Sequence, residues 1–71
     1  MLGRRIREAR MLRGLTQPEM AARLGLSLRT YQKYEEGTRN PQLDTLALIA
    51  TTLQVSADWL LGLSDEAPSG E

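Results

Sequence analysis

Basic side chains, which bind polyanions through charge and hydrogen bonds, are confined to the first 40 residues of this 71-residue chain. These 40 residues contain all nine arginines and lysines against four acidic residues, a formal charge of +5. Residues 41–71 contain five acidic residues and no basic one, so the net charge of zero conceals a polarised molecule. A single surface charge usually only solvates a helix, but segregation this complete favours one face suited to a polyanion.

The same set of side chains argues against catalysis. The chain has no histidine and no cysteine, which removes the commonest general base and the commonest ligands for metal ions. It also has no glycine-rich phosphate loop, and its carboxylates are dispersed or sit in helix caps and the C-terminal stretch. We therefore expect a protein that is not an enzyme, holds no metal and needs no cofactor.

The length of the chain fits one small domain, which at this size buries about 60% of the surface of its unfolded chain. No apolar run approaches the roughly 20 residues that a membrane helix requires, and no secretory signal follows Met1. We expect no membrane contact and a cytoplasmic location.

Apolar residues recur at helical spacing, and no stretch alternates as a strand would. The pattern predicts an all-α protein, a compact bundle of five helices. Their expected positions are about Leu2 to Arg13, from the cap Thr16 to before Gly25, Leu28 to about Glu36, about Leu43 to Leu53, and a short helix after the cap Ser56.

The core is expected to come mainly from apolar residues on four of the five helices. The candidates are Leu2, Ile6 and Ala9, with Leu12 as a further one, on the first helix; Met20, Ala21 and Leu24 on the second; Leu43, Leu46, Ile49, Ala50 and Leu53 on the fourth; and Trp59 and Leu60 on the last.

The segment from Thr16 to Gly37 has the organisation of a helix-turn-helix. Thr16 and Glu19 form a capping box, Gly25 ends the first helix, and Ser27 caps a second helix whose outer face is polar and cationic. In this arrangement the first helix spans the DNA backbone and the second enters the major groove.

The run TQPEMAARLGLS, from Thr16 to Ser27, closely resembles the phage repressor and Cro-like helix-turn-helix family, also called the xenobiotic-response-element family. The resemblance continues in order through YEEG at 34–37, Pro41, Leu43, Leu46, Ile49, Ala50, Leu53, Val55, Ser56 and DWLL at 58–61. It covers Arg4 to Leu63 and implies the five-helix lambda-repressor-like fold. We expect a DNA-binding domain over residues 1–63, with its helix-turn-helix at about 16–37, and a flexible acidic tail over residues 64–71.

The resemblance implies that Leu28, Arg29 and Lys33 face outward on the recognition helix and reach base edges. Arg29 is the strongest candidate, because arginine donates two hydrogen bonds to guanine, and Leu28 suits a thymine methyl group. Lys33 suits guanine or a phosphate. Two alternatives stay open for Gln32: a contact with adenine, or a place on a solvated face.

The resemblance also implies that Gln17, at the start of the second helix, contacts phosphate and braces the recognition helix. It implies a phosphate contact for the cap Ser27 as well, although capping alone would explain Ser27. The loop after the recognition helix is expected to follow the DNA backbone through Thr38, Arg39 and Asn40.

Two residues match a pair that in relatives forms a scaffold salt bridge, Arg10 and Glu35, which ties the first helix to the end of the recognition helix. Tyr31 stands where the family usually has an aliphatic residue, and we expect its ring in the core, with a phosphate contact as an alternative for its hydroxyl.

These expectations add up to a transcriptional regulator, a repressor that binds a palindromic operator as a dimer. The rival hypothesis is a helical protein-interaction module, or an antitoxin-type regulator that also contacts a protein partner, since the acidic half carries apolar residues at Leu48, Leu61 and Leu63. The arginine-rich first half favours double-stranded DNA. The two hypotheses are compatible if the half from Leu43 to Leu63 forms a homodimer contact.

Overall fold

Five helices make up the fold of the computed structural model, which describes residues 1–65. They are α1 (Leu2–Leu12), α2 (Gln17–Leu24), α3 (Leu28–Glu36), α4 (Leu43–Leu53) and α5 (Ala57–Leu60), and residues 1–65 contain no strand. The predicted all-α architecture is confirmed, and the four longer helices begin and end within one residue of the expected positions.

Side-chain caps fix where three of these helices begin. The Glu19 backbone N–H donates to the Thr16 hydroxyl (3.2 Å), and the Thr16 backbone N–H donates to the Glu19 carboxylate (2.9 Å), which completes the predicted capping box. The Ser27 hydroxyl accepts from the Thr30 backbone N–H, and Ser56 caps α5 in the same way. Each cap contributes about 1 kcal/mol and sets the start of its helix from local sequence alone.

The core lies where all five helices meet. Its buried apolar residues are Ile6, Ala9, Met20, Ala21, Leu24, Tyr31, Tyr34, Leu46, Ile49, Ala50, Leu53, Trp59 and Leu60. Most of the expected core residues are among them, and Leu2 is half-buried against the same cluster. α1 comes so close to the end of α3 that a Cβ on Gly3 would lie 2.5 Å from the carbonyl oxygens of Tyr34 and Glu35. Only glycine therefore fits at this crossing without a shift of the backbone.

Two apolar residues expected in the core are on the surface instead, and both lie at the end of a helix. Leu43 is 83% exposed because it is the first residue of α4, where none of the described residues covers it. Leu12 is 53% exposed. The inward stripe of α1 continues from Ile6 and Ala9 to Arg13, whose guanidinium donates to the carbonyl of Leu53, the last residue of α4 (2.8 Å).

The chain after α5 is attached to α1 through Arg5. The Arg5 guanidinium lies 4.9 Å from the centroid of the Trp59 ring and donates to the carbonyls of Trp59 (2.6 Å) and Ser64 (2.9 Å). Of the tail predicted over residues 64–71, residues 66–71 lie outside the described residues. Within residues 1–65, no helix is both long and apolar enough to span a membrane.

Candidate nucleic-acid interface

A tight turn at Gly25 joins α2 to α3. Gly25 adopts a left-handed conformation (φ 68°), and the backbone N–H groups of Gly25 and Leu26 donate to carbonyls in the last turn of α2. Residues with a side chain rarely adopt this backbone conformation. Glycine therefore allows the chain to leave α2 and enter α3 two residues later at the Ser27 cap. The predicted helix-turn-helix from Thr16 to Gly37 is thus present in the structure.

The recognition helix, α3, has an inner and an outer face. Tyr31 and Tyr34 are buried against the core, whereas Leu28 is 39% exposed and Arg29 is exposed. Lys33 is half-buried, one turn after Arg29. Within residues 1–65 the side chains of Arg29 and Lys33 have no hydrogen-bond or ion-pair partner. The outer face therefore presents two cationic side chains that are not engaged by any of the described residues.

Behind this face, α3 is held by a carboxylate that accepts hydrogen bonds from three residues. The Glu35 side chain is 4% exposed and pairs with the Arg10 guanidinium, whose Nε donates to Oε2 at 2.7 Å and whose Nη2 donates to Oε1 at 3.3 Å. Arg10 also donates to the Leu15 carbonyl (2.8 Å). The Tyr31 hydroxyl donates to Oε2, and the Gln17 amide donates to Oε1 (3.0 Å). The expected salt bridge between Arg10 and Glu35 is present, and it joins α1, α2 and α3.

The protonation of these groups follows from their contacts. Burial alone raises the pKa of Glu35, but the hydrogen bonds from Arg10, Tyr31 and Gln17 together outweigh it, and the net pKa lies below the ordinary 4.5. The hydrogen bond to Glu35 raises the pKa of Arg10 further. Burial, and then the same carboxylate, raise the pKa of Tyr31 above its usual range. The Glu35 carboxylate therefore keeps its charge to a lower pH than an ordinary glutamate does.

The Gln17 side chain extends this network to the edge of the recognition helix. Its Oε1 accepts from the Gln32 Nε2 at 3.1 Å, while its own Nε2 donates inward to Glu35. Gln17 thus braces α3, and Gln32 is half-buried beside it rather than fully solvated. Neither alternative that the sequence left open for Gln32 included this contact with Gln17.

The remaining candidate residues flank α3. The exposed Ser27 hydroxyl donates to the Thr30 hydroxyl (3.0 Å) while it caps the helix. After α3, the Thr38 backbone N–H donates to the Lys33 carbonyl (3.1 Å), which folds the loop back on the helix end. Arg39 and Asn40 are exposed in that loop. The structure therefore brings the predicted phosphate-contacting residues to both ends of the recognition helix.

Sequence reasoning missed two features of this region. The first is the Tyr31 hydroxyl, which donates to Glu35 one turn further along α3; the spacing of four residues was the available signal. The second is that the basic residues are not one group. Arg5, Arg10 and Arg13 direct their guanidinium groups to partners within the fold, so the positive surface is narrower than the sequence total suggested.

A fold of two short helices joined by a glycine turn, with the second helix presenting free cationic side chains, defines the class of helix-turn-helix DNA-binding domains. A sequence profile of the helix-turn-helix family matches residues 6–60. The chain therefore belongs to the helix-turn-helix family, in its phage repressor and Cro-like group, as its sequence resemblance indicated.

Similar curated proteins are bacterial and phage regulators. The chain is 37% identical over 70 residues to the HTH-type transcriptional regulator ImmR of Bacillus subtilis, an alignment covering 99% of this chain and 55% of that protein. It is 39% identical over 70 residues to the uncharacterized HTH-type transcriptional regulator y4dJ of Sinorhizobium fredii, covering 99% and 91%. It is 45% identical over 47 residues to the cryptic phage CTXphi transcriptional repressor RstR of Vibrio cholerae, covering 66% and 42%.

The chain spans little more than half the length of several of these relatives. The covered share is 55% to 59% for four regulators of Bacillus subtilis, ImmR, YobD, YonR and YqaE. The similarity therefore describes the helix-turn-helix domain, and not the remaining part of those proteins.

Removing the charge of Glu35 tests its role in holding the helices together. At neutral pH, Glu35→Gln is expected to lower the free energy of unfolding by about 3 kcal/mol, because it leaves the Arg10 guanidinium largely buried without its counter-ion. Folding lowers the pKa of Glu35, so its stabilisation is complete above 4.5 and is lost as the pH falls through the folded-state pKa. The difference between wild type and Glu35→Gln should therefore shrink below pH 4.5.

Urea unfolding followed by Trp59 fluorescence at several pH values measures this difference. Glu36→Gln is the matched control, since Glu36 is the exposed neighbour and should change the midpoint little. A loss in Glu36→Gln equal to that in Glu35→Gln would contradict the assignment, as would a difference that persists unchanged below pH 4.

Proposed function

We propose that this chain is the sequence-specific DNA-binding domain of a transcriptional regulator, and that it represses by occupying an operator rather than by any chemistry. The observation that carries the proposal is the outer face of α3, where Arg29 and Lys33 are free of partners within residues 1–65 while the opposite face is buried. A helix with this division enters the major groove with its outer side chains toward the bases.

In this proposal the side chains at the start of α3 read bases. Arg29 donates two hydrogen bonds to O6 and N7 of guanine, and Leu28 contacts a thymine methyl group. Lys33, one turn further along, contacts guanine or a phosphate. Gln32 takes part through the polar groups that its contact with Gln17 leaves free.

The residues at the two ends of α3 hold the DNA backbone. Gln17 has one amide hydrogen left after its bond to Glu35, and donates it to a phosphate. The other backbone contacts come from four exposed residues: Ser27, Thr38, Arg39 and Asn40. Contacts of this kind set position and affinity but carry little sequence information.

Repression and dimeric binding are supported by the relatives and by the second half of the chain. RstR is named a transcriptional repressor. Leu48, Leu61 and Leu63 are 43%, 45% and 74% exposed, which is apolar surface that a second copy would cover. Two copies related by a twofold axis would bind a palindrome whose half-sites lie about 10 base pairs apart.

The same leucines favour a second candidate function, a contact with a protein partner of another kind, as in an antitoxin-type regulator. Acidic residues accompany them, since Asp44, Asp58 and Asp65 are all exposed in this half. This candidate does not need the free cations on α3, whereas DNA binding does.

Selection from a randomised duplex pool tests the proposed function directly. The protein is expected to enrich a palindrome with half-sites about 10 base pairs apart, bound by two copies. The affinity for that duplex should fall steeply between low and high salt, because each phosphate contact releases a counter-ion. If no motif is enriched even at low salt, the proposal is wrong, and the protein-contact candidate takes its place.

Two arginine variants test the division between base and phosphate contacts. Arg29→Ala should relax base preference at one position per half-site, with a loss of about 1–3 kcal/mol on the selected duplex. Arg39→Ala should weaken binding to all duplexes alike. It should also reduce the slope of log affinity against log salt concentration by about one for each bound copy. Competition binding with selected and scrambled duplexes distinguishes them, and the same behaviour in both variants would refute the division.

A further inference from the structure

The ring of Tyr31 is fully buried, and its hydroxyl takes part in the hydrogen bonds around Glu35. Its side chain is 0% exposed, and the hydroxyl donates to Glu35 Oε2. A buried hydroxyl is costly unless it is hydrogen-bonded, and an aliphatic or phenylalanine side chain would fill this core position without that cost. The packing of the core therefore does not by itself explain a tyrosine here.

The hydroxyl limits how the Glu35 carboxylate can turn. Oε2 accepts from Arg10 Nε and from Tyr31, while Oε1 accepts from Arg10 Nη2 and from Gln17 Nε2. A carboxylate has about four acceptor sites, and these four bonds occupy them. Without the Tyr31 donor, Oε2 would have a free acceptor site, so the carboxylate could turn and either oxygen could receive the Gln17 amide.

A fixed carboxylate in turn fixes two amides. Because a carboxylate only accepts, Gln17 must direct its Nε2 inward, and its Oε1 then faces Gln32. An oxygen acceptor requires a donor, so Gln32 directs its Nε2 to Gln17 and keeps its own Oε1 and one N–H for another partner. The direction of the Gln32 amide thus follows from the Glu35 carboxylate, two hydrogen bonds away, and its position depends on how that carboxylate is held.

We propose that Tyr31 is a positioning residue for DNA recognition: its hydroxyl fixes the Glu35 carboxylate and thereby the positions of the Gln17 and Gln32 amides. The inference rests on the proposed function, since it assigns these amides a role at the DNA surface. Tyr31 itself touches no DNA, and it acts only through the chain of hydrogen bonds that ends at Gln32.

A double-mutant cycle on the selected duplex tests this coupling. Tyr31→Phe removes the hydroxyl and keeps the ring, and it should weaken binding about threefold to tenfold at a temperature where the variant is fully folded. Combined with Gln32→Ala, it should weaken binding no further than the stronger single variant. Arg29 is an exposed residue of α3 outside this network. When Tyr31→Phe is combined with Arg29→Ala, the two losses of affinity should therefore multiply in full.

The proposal is overturned if folded Tyr31→Phe binds as tightly as wild type. It is also overturned if the effects of Tyr31→Phe and Gln32→Ala multiply as independent losses do, because a purely structural role of the hydroxyl would give that result.

A measurement on the free protein separates this inference from the proposed function. The side-chain amide protons of Gln17 and Gln32 should be protected from exchange with water in wild type, less protected in Tyr31→Phe, and unchanged in Arg29→Ala. If Tyr31→Phe does not fold, Tyr31→Leu provides the same comparison with an aliphatic residue. Unchanged protection in the folded variant contradicts the inference, whereas failure of wild type to select any duplex contradicts the proposed function alone.

Discussion

The fold depends on one buried ion pair, between Arg10 and Glu35. Two charges removed from water cost more than their attraction returns unless their remaining hydrogen-bonding capacity is satisfied, and here it is. Arg10 reaches the carboxylate and the Leu15 carbonyl, and Glu35 accepts from Tyr31 and Gln17 as well. Because these groups come from α1, from the start of α2 and from α3, the pair sets how the two helices of the helix-turn-helix lie against the rest of the domain.

A chain with no net charge presents a cationic surface because its arginines divide into two groups. Three of the nine basic residues, Arg5, Arg10 and Arg13, direct their guanidinium groups to oxygens of other parts of the fold, and a fourth, Arg4, pairs with Glu8 within α1. Arg29 and Arg39 remain exposed on and beside α3. Arginine thus has two tasks here, joining helix ends inside the fold and presenting charge outside it. Among the described acidic residues of the second half, Asp44, Asp58 and Asp65, none forms an ion pair with Arg29 or Lys33.

Much of the fold could be predicted from the sequence because its signals are local. Thr16, Ser27 and Ser56 mark helix starts through bonds to residues three positions away, and helical spacing identifies most of the core. The errors at Leu12 and Leu43 arise at helix ends, where burial depends on which other element covers the residue. The contact between Gln17 and Gln32 was not predictable, because the direction of an amide is decided by partners 18 and 15 residues apart in sequence.

The proposed DNA-binding surface consists of α3 and its flanking residues, supported from behind by Glu35. Backbone amide resonances of the protein, followed during titration with its selected duplex, show whether DNA contacts this surface. The largest changes are expected at Gln17, at residues 27–33 and at residues 38–40, with little change at the Trp59 indole or within α4 away from any dimer contact. Changes centred on α4 and α5, with α3 unaffected, would contradict it.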